Sequence, residues 1–197
     1  MKNNYIFGYG SLISQESRAR TGISGTAIPV TVIGIERQWN VVAQNNFFTC
    51  VGAISNSERK CNGVIFPVNE LELQKFDDRE LPHGYIRNEL SRESIVPLDF
   101  CILHNFPIWY YAVTNPEKPS QNFPIIQSYI DVILNGCLEY GEDFAKTFIE
   151  TTDGWQNDWI NDREKPRYSR HLENRLEREE KIDGILKNNL LYFSRRE

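Results

Sequence analysis

The sequence lacks several features by which common classes of protein are recognised. No stretch approaches the run of about 18 apolar residues that a membrane-spanning helix requires. The four cysteines and three histidines show no zinc-like spacing and no Cys-x-x-Cys pair, so we expect no metal site. The N-terminal residues contain no signal-peptide core followed by a cleavage site, so we expect a soluble, cytoplasmic protein.

The sequence also has little excess charge of either sign. It contains 22 Lys and Arg against 27 Asp and Glu, a formal net charge of −5, which argues against a nucleic-acid partner. Hydrophobic residues make up 40% and charged residues 25% of the chain, as in globular rather than disordered proteins. A chain of 197 residues buries about 70% of its unfolded surface, which is enough for one domain with a real core.

The first 120 residues are β-rich with short connections. β-branched and aromatic residues dominate 28–43, which predicts a strand, and Gly34 within it predicts a bulge or a close backbone approach. Residues 47–54 and 63–68 predict two separate short strands, joined by the polar run 55–62. Further strands are predicted at 5–8, 85–96 and 107–113.

Helical periodicity appears at 70–77 and returns after residue 120. Asn69 is a suitable N-cap for the segment 70–77. Apolar residues recur at helical spacing across 125–138 and 144–149, which predicts two amphipathic helices. The segment 162–187 is rich in charges of both signs, which predicts a solvated surface helix, with a partner-binding helix as the alternative.

A loop with two glycines, Phe-Gly-Tyr-Gly-Ser-Leu at 7–12, follows the first predicted strand. Three common loop motifs are excluded. A dinucleotide-binding fingerprint would need a third glycine where the chain has Ile13, and a phosphate-binding P-loop would need a lysine. A nucleophile elbow would need glycines where the chain has Tyr9 and Ile13. Two interpretations remain open. The glycines serve a tight turn alone, or they let successive N–H groups converge on a carboxylate or an oxyanion.

An acidic segment, Asp77-Asp78-Arg79-Glu80-Leu81, follows the predicted helix that starts after Asn69. In one interpretation it is an exposed helix end, where Arg79 pairs with Asp77 or Asp78. In the other, Glu80 turns toward an apolar pocket beside Leu81 and serves as a general base.

These two features, in this order and at this distance, resemble the γ-glutamylcyclotransferase superfamily, most closely its ChaC-like, glutathione-directed branch. Residues 6–12 look like the substrate-binding loop of that family, and Arg37 with Trp39 matches an arginine and an aromatic residue of that branch. The segments that look like its strand, helix and catalytic-glutamate region are 63–66, 76–80 and 84–85.

The resemblance implies an α+β fold, a small mixed β-barrel with flanking helices and a helical C-terminal extension. We accordingly divide the chain into a γ-glutamylcyclotransferase-like barrel at 1–120 and a helical extension at 121–197, packed on the same domain. A protein partner that binds the charged extension is an open expectation.

The resemblance also implies a reaction, in which the α-amine of a γ-glutamyl substrate attacks its own γ-carbonyl and releases 5-oxoproline. Glu80 would accept the proton of the amine and then donate it to the leaving nitrogen. No metal or cofactor is implied. The implied substrate-binding residues are Ile6, Phe7, Gly8, Tyr9, Gly10, Ser11 and Leu12 of the loop, with Tyr110 or Tyr111 of a later strand.

Other hypotheses stay open at this point. Glutathione, which would give Cys-Gly, is one candidate substrate, and a bulkier biosynthetic γ-glutamyl compound is another. A non-catalytic binding or scaffold protein on the same fold is the alternative of a different class. Glu89 and Glu93 are weaker candidates for the general base. In every case we expect a small-molecule ligand and neither nucleic acid nor membrane as partner.

Overall fold

The computed structural model describes residues 3–98, 103–173, 176–191 and 193. Cys101 lies outside these ranges, whereas Cys61 and Cys137 are buried, Cys50 is half-buried, and all three are free thiols. Within the described ranges, no helix is both long and apolar enough to cross a membrane.

A curled mixed sheet forms the centre of the molecule. Its strands are β1 (Asn3–Gly8), β2 (Ile28–Ala43), β3 (Phe48–Asn69), β4 (Tyr85–Glu89), β5 (Ile95–Pro97) and β6 (Ile108–Val113). They pair in the order β4-β6-β1-β3-β2-β5, with β1 and β6 parallel and the other pairs of this path antiparallel. The predicted α+β class, with a large mixed sheet and flanking helices, is confirmed, and no closed barrel is found among the described residues.

The long hairpin of β2 and β3 corrects one sequence prediction. The polar run 55–62 was expected to be a loop, but it is part of the single 22-residue strand β3. Its ends pair with β2, since Ser55 lies opposite Ile35 and Lys60 lies opposite Ile33. Gly34, with φ of 89°, forms the predicted bulge between these pairs. Most of this stretch is exposed, so polar side chains suit it.

Helix α2 (Glu70–Glu80) follows β3 and confirms the predicted cap. The Asn69 side chain accepts a hydrogen bond from the backbone N–H of Glu72 at 2.9 Å. Phe76 packs against Phe66 of β3, with ring centroids 5.4 Å apart. Glu80 is the last residue of the helix, and a short turn leads from it to Gly84, whose φ is 86°. This anchoring fixes where the Glu80 side chain lies.

The remaining helices are α1 (Gln15–Ala19), α3 (Gln127–Leu138), α4 (Glu142–Glu150) and α5 (Leu176–Asn189). Two-residue strands β7 (Ile125–Ile126) and β9 (Trp159–Ile160) pair with each other, and β8 (Thr152–Asp153) pairs with β2. Helix α3 packs close to the segment after the glycine loop, because a Cβ on Gly136 would lie 2.4 Å from the backbone nitrogen of Ser14. Residues after 120 therefore contact the β-rich part directly.

The charged segment 162–187 is only partly the surface helix that its composition predicted. Helix α5 is Leu176–Asn189, and residues 162–173 form a loop whose first charged residues, Asp162 and Arg163, are buried. Asp162 accepts hydrogen bonds from the backbone N–H and the hydroxyl of Ser128, at 2.7 and 2.6 Å. Arg163 pairs with Asp131 at 2.7 Å. These charges fasten the loop to α3 instead of facing solvent.

Candidate active site

The glycine loop and Glu80 line the same cavity, although they are far apart in the sequence. The cavity is partly open to solvent. Its lining residues are Phe7, Gly8, Tyr9, Gly10, Ser11, Leu12, Val51, Glu80, Tyr85, Tyr111 and Tyr129.

The peptide groups of the glycine loop are oriented by partners on their carbonyl side. The carbonyl oxygen of Tyr9 accepts from Nη1 of Arg37 at 3.1 Å, and that of Gly10 accepts from the N–H of Ile13 at 2.9 Å. In a planar trans peptide the N–H points away from the carbonyl. The N–H groups of Gly10 and Ser11 therefore point away from these partners, in a loop that lines the cavity.

Both glycines of the loop are required by close packing. A Cβ on Gly8 would lie 2.7 Å from the Cβ of Leu12. A Cβ on Gly10 would lie 2.7 Å from Cγ2 of Val51 and 3.3 Å from the hydroxyl of Tyr129. Val51 and Tyr129 both line the cavity, so a larger residue at position 10 would crowd the site itself.

Arg37 is a fully buried arginine that ties the glycine loop to the end of α4. Besides Tyr9, its guanidinium donates to the carbonyl of Phe148 at 2.9 Å and to the hydroxyls of Thr151 and Thr152 at 2.8 and 2.7 Å. It also lies 3.7 Å from the centroid of the Phe148 ring. Burial lowers the pKa of Arg37. The recorded acceptors are all uncharged, so the loop is held by hydrogen bonds rather than by an ion pair.

Glu80 is held by its neighbour Arg79, which corrects the pairing expected from the sequence. Oε1 of Glu80 lies 2.9 Å from Nε of Arg79, and the Glu80 side chain is 15% exposed. Nη2 of Arg79 also donates to the hydroxyl of Ser11 at 2.9 Å. Asp77, an expected partner of Arg79, pairs instead with Arg87. Arg79 thus joins the carboxylate to the glycine loop.

Of the two candidate tyrosines on β6, only Tyr111 lines the cavity. Its hydroxyl donates to Oδ1 of Asp77 at 2.9 Å. Tyr110 points to the other face, where its hydroxyl lies 3.4 Å from that of Ser55, as strand alternation requires. Ile6, also an expected substrate contact, is fully buried within β1 and does not contribute to the cavity lining.

Two tyrosines that the sequence analysis missed complete the lining. The hydroxyl of Tyr85 donates to the carbonyl of Val51 at 2.8 Å, and that of Tyr129 lies against the glycine loop, 3.3 Å from where a Cβ on Gly10 would lie. Burial is the main reason that the pKa of both phenols lies well above the usual value, and nearby ionisable groups raise it further. Both phenols therefore remain neutral donors. Tyr129 belongs to the apolar stripe of α3, where nothing in the local sequence separates it from a core residue.

A second, larger cavity adjoins the first. The two cavities share Ser11, Glu80, Tyr85 and Tyr129. Tyr168 packs edge-to-face on Tyr129, with ring centroids 4.8 Å apart, and contributes to the second wall. Residues that line the second cavity alone include Phe48, Cys50, Arg79, His83 and Arg170. Burial raises the pKa of the Cys50 thiol to about 12, so this thiol stays protonated near neutrality.

The alternative bases lie elsewhere. Glu89 and Glu93 are both exposed, and neither contributes to the two cavities that contain Glu80. In the described part of the chain, no group of three or more His, Cys, Asp or Glu side chains is arranged to hold a metal ion.

Comparisons with known proteins identify the fold. No protein-family model and no curated protein sequence matches this chain. A solved structure titled γ-glutamyl cyclotransferase aligns over 93% of this chain and 99% of its own, with a TM-score of 0.56 and 15% identity. The uncharacterized human protein loc79017 aligns over 73% of this chain and 87% of its own, with a TM-score of 0.52 and 18% identity.

YkqA from Bacillus subtilis aligns over 78% of this chain but only 57% of its own, with a TM-score of 0.55 and 14% identity. At these identities the likeness defines the fold, which is that of the γ-glutamylcyclotransferases. An alignment over 93% of the chain extends well past residue 120, into the region that the sequence resemblance did not cover. The relation to the ChaC-like branch stays a prediction.

Proposed function

We propose that the protein is a γ-glutamylcyclotransferase that releases 5-oxoproline from a γ-glutamyl peptide or amine. The observation that carries this proposal is that the glycine loop and the Glu80 carboxylate line one cavity. The likeness in fold to a γ-glutamyl cyclotransferase supports it.

The glycine loop holds the α-carboxylate of the substrate in this proposal. The N–H groups of Gly10 and Ser11 face away from their carbonyl partners and offer donors to an anion. The orientation of the substrate supplies much of the rate because its nucleophile is its own α-amine.

Glu80 takes a proton from the α-ammonium, and the freed amine attacks the γ-carbonyl to form a five-membered ring. The γ-carbon becomes tetrahedral, with its negative oxygen among neutral donors of the lining such as Tyr129. The C–N bond to the leaving group then breaks as Glu80 gives its proton to the departing nitrogen, and the carboxylate so regenerated takes the second proton from the ring nitrogen, which becomes the lactam N–H of 5-oxoproline. The ion pair with Arg79 keeps the carboxylate oriented through both transfers.

The test is to incubate purified wild-type protein with glutathione and a panel of γ-glutamyl amino acids and γ-glutamyl amines. We expect 5-oxoproline and the released amine in equal amounts by mass spectrometry. The same substrates with an acetylated α-amine serve as controls, because they lack the nucleophile and should be inert. Release of glutamate instead of 5-oxoproline, or no product from any substrate, would contradict the proposal.

The same panel decides between a catalyst and a non-catalytic binding protein, since a binding protein would retain the ligand without turnover. The natural substrate, the cytoplasmic location and the independence from cofactors are predictions that accompany this proposal.

A further inference from the structure

The Glu80 carboxylate lies at the boundary between the two cavities, since it contributes to the lining of both. If Glu80 exchanges a proton first with the α-amine and then with the leaving nitrogen, it stands between the glutamyl group and the leaving group. The glutamyl group lies beside the glycine loop in the first cavity. In that arrangement the second cavity is the one beside the leaving group.

In the described ranges, the second cavity contains a cationic side chain that forms no ion pair with a carboxylate. This residue is Arg170, which is half-buried and lines the cavity. The other arginine of this cavity, Arg79, is paired with Glu80. Burial, and next the charge of Arg79, lower the pKa of Arg170, whereas Tyr168 and the Glu80 carboxylate raise it. A bound anion would stabilise the charged guanidinium further.

We propose that Arg170 binds a carboxylate on the leaving group, so that the preferred substrates are γ-glutamyl amino acids or peptides rather than γ-glutamyl amines. This inference rests on the proposed function and names the substrate class. A guanidinium forms paired, charge-assisted hydrogen bonds with a carboxylate, which neither the aromatic rings Phe48 and Tyr168 nor the Cys50 thiol of this cavity can offer.

The experiment uses matched pairs of substrates that differ only at this carboxylate. The pairs are γ-glutamylleucine and γ-glutamylphenylalanine, each with its C-terminal amide. For the wild type we expect kcat/KM about thirtyfold higher for each acid than for its amide, as the loss of a charge-assisted hydrogen bond predicts. The difference should lie mostly in KM, since the carboxylate is remote from the reacting atoms.

Arg170→Gln should remove this preference, so that the ratio of kcat/KM for each acid to that for its amide falls to about one. The ratio within one variant is the readout, and a thermal melt checks that the variant is folded. Lys165→Gln is the matched control, because Lys165 is an exposed cation of the same loop and does not line the cavity. It should retain the wild-type preference.

The outcomes separate the two proposals. Wild-type turnover with equal kcat/KM for acids and amides, or an acid preference that survives Arg170→Gln, would overturn the role of Arg170 and leave the proposed function intact. No 5-oxoproline from any of the four substrates, nor from glutathione, would overturn the proposed function, and the role of Arg170 would fall with it.

Discussion

The two sides of the candidate site differ in how they are built. The loop side comes from residues 7–12 and Glu80, and it uses backbone N–H groups and one carboxylate. The ring side comes from residues after 120, and it uses the aromatic faces and hydroxyls of Tyr129 and Tyr168 with the cation of Arg170. A side built from backbone geometry demands particular residue types at a fixed spacing, whereas a side built from rings uses residues that also occur in any core.

Arg37 joins the glycine loop to Phe148 and the end of α4, so its loss is expected to have the largest effect on the loop side. Arg37→Met removes hydrogen bonds from the Tyr9 carbonyl and from several buried acceptors near Phe148. We expect the free energy of unfolding to fall by about 3 kcal/mol in urea titration and the activity to fall with it. Arg59→Met is the control, because its ion pair with Asp153 is exposed and contributes less than about 1 kcal/mol.

A variant of Arg37 with wild-type stability and activity would mean that the loop keeps its shape without this link. In that case the hydrogen bonds of Arg37 to the end of α4 would not be needed for the position of the loop or for activity.

The loop side is tested by Gly10→Ala. The new methyl group would meet Cγ2 of Val51 at 2.7 Å and the hydroxyl of Tyr129 at 3.3 Å, so the loop must shift. We expect KM to rise about tenfold in steady-state kinetics, with a smaller change in kcat. Gly184→Ala is the control, because a Cβ there meets open space on α5 and should leave KM unchanged. An unaltered KM for Gly10→Ala would remove the loop from substrate binding.

The ring side is tested by Tyr129→Phe, for which we expect the smallest effect. The variant keeps the ring but loses a hydroxyl that lies beside the glycine loop in the cavity lining. The loss of one neutral hydrogen bond to the proposed oxyanion predicts about a fivefold loss of kcat/KM. Tyr140→Phe, which alters a half-buried tyrosine outside both cavities, should behave as the wild type. A loss larger than that of Gly10→Ala would reverse the ranking of the two sides.

The same contrast explains what could be predicted from the sequence. The cap at Asn69, the bulge at Gly34 and the order of loop and glutamate depend on local geometry, and the first two are confirmed in the structure. The polar run 55–62 was misjudged because its strand partner is remote and its faces are exposed.

The contributions of Tyr129, Tyr168 and Arg170 were missed for a related reason. Their position depends on tertiary contacts, such as the hydrogen bonds of the buried Asp162 to Ser128, which no local pattern records. The many charged residues after position 162 indicated solvent exposure. Composition alone could not predict that Arg163 would instead form a buried ion pair with Asp131.

The most direct test of the account is the turnover of Glu80→Gln, measured as 5-oxoproline by mass spectrometry beside Glu89→Gln. Glu89 is an exposed glutamate outside both cavities and gives the matched control. We predict that Glu80→Gln loses turnover by about a thousandfold while substrate affinity, measured by calorimetry, stays within about tenfold, and that Glu89→Gln is unaffected. Wild-type turnover in Glu80→Gln would contradict the assignment of the base and, with it, the site described here.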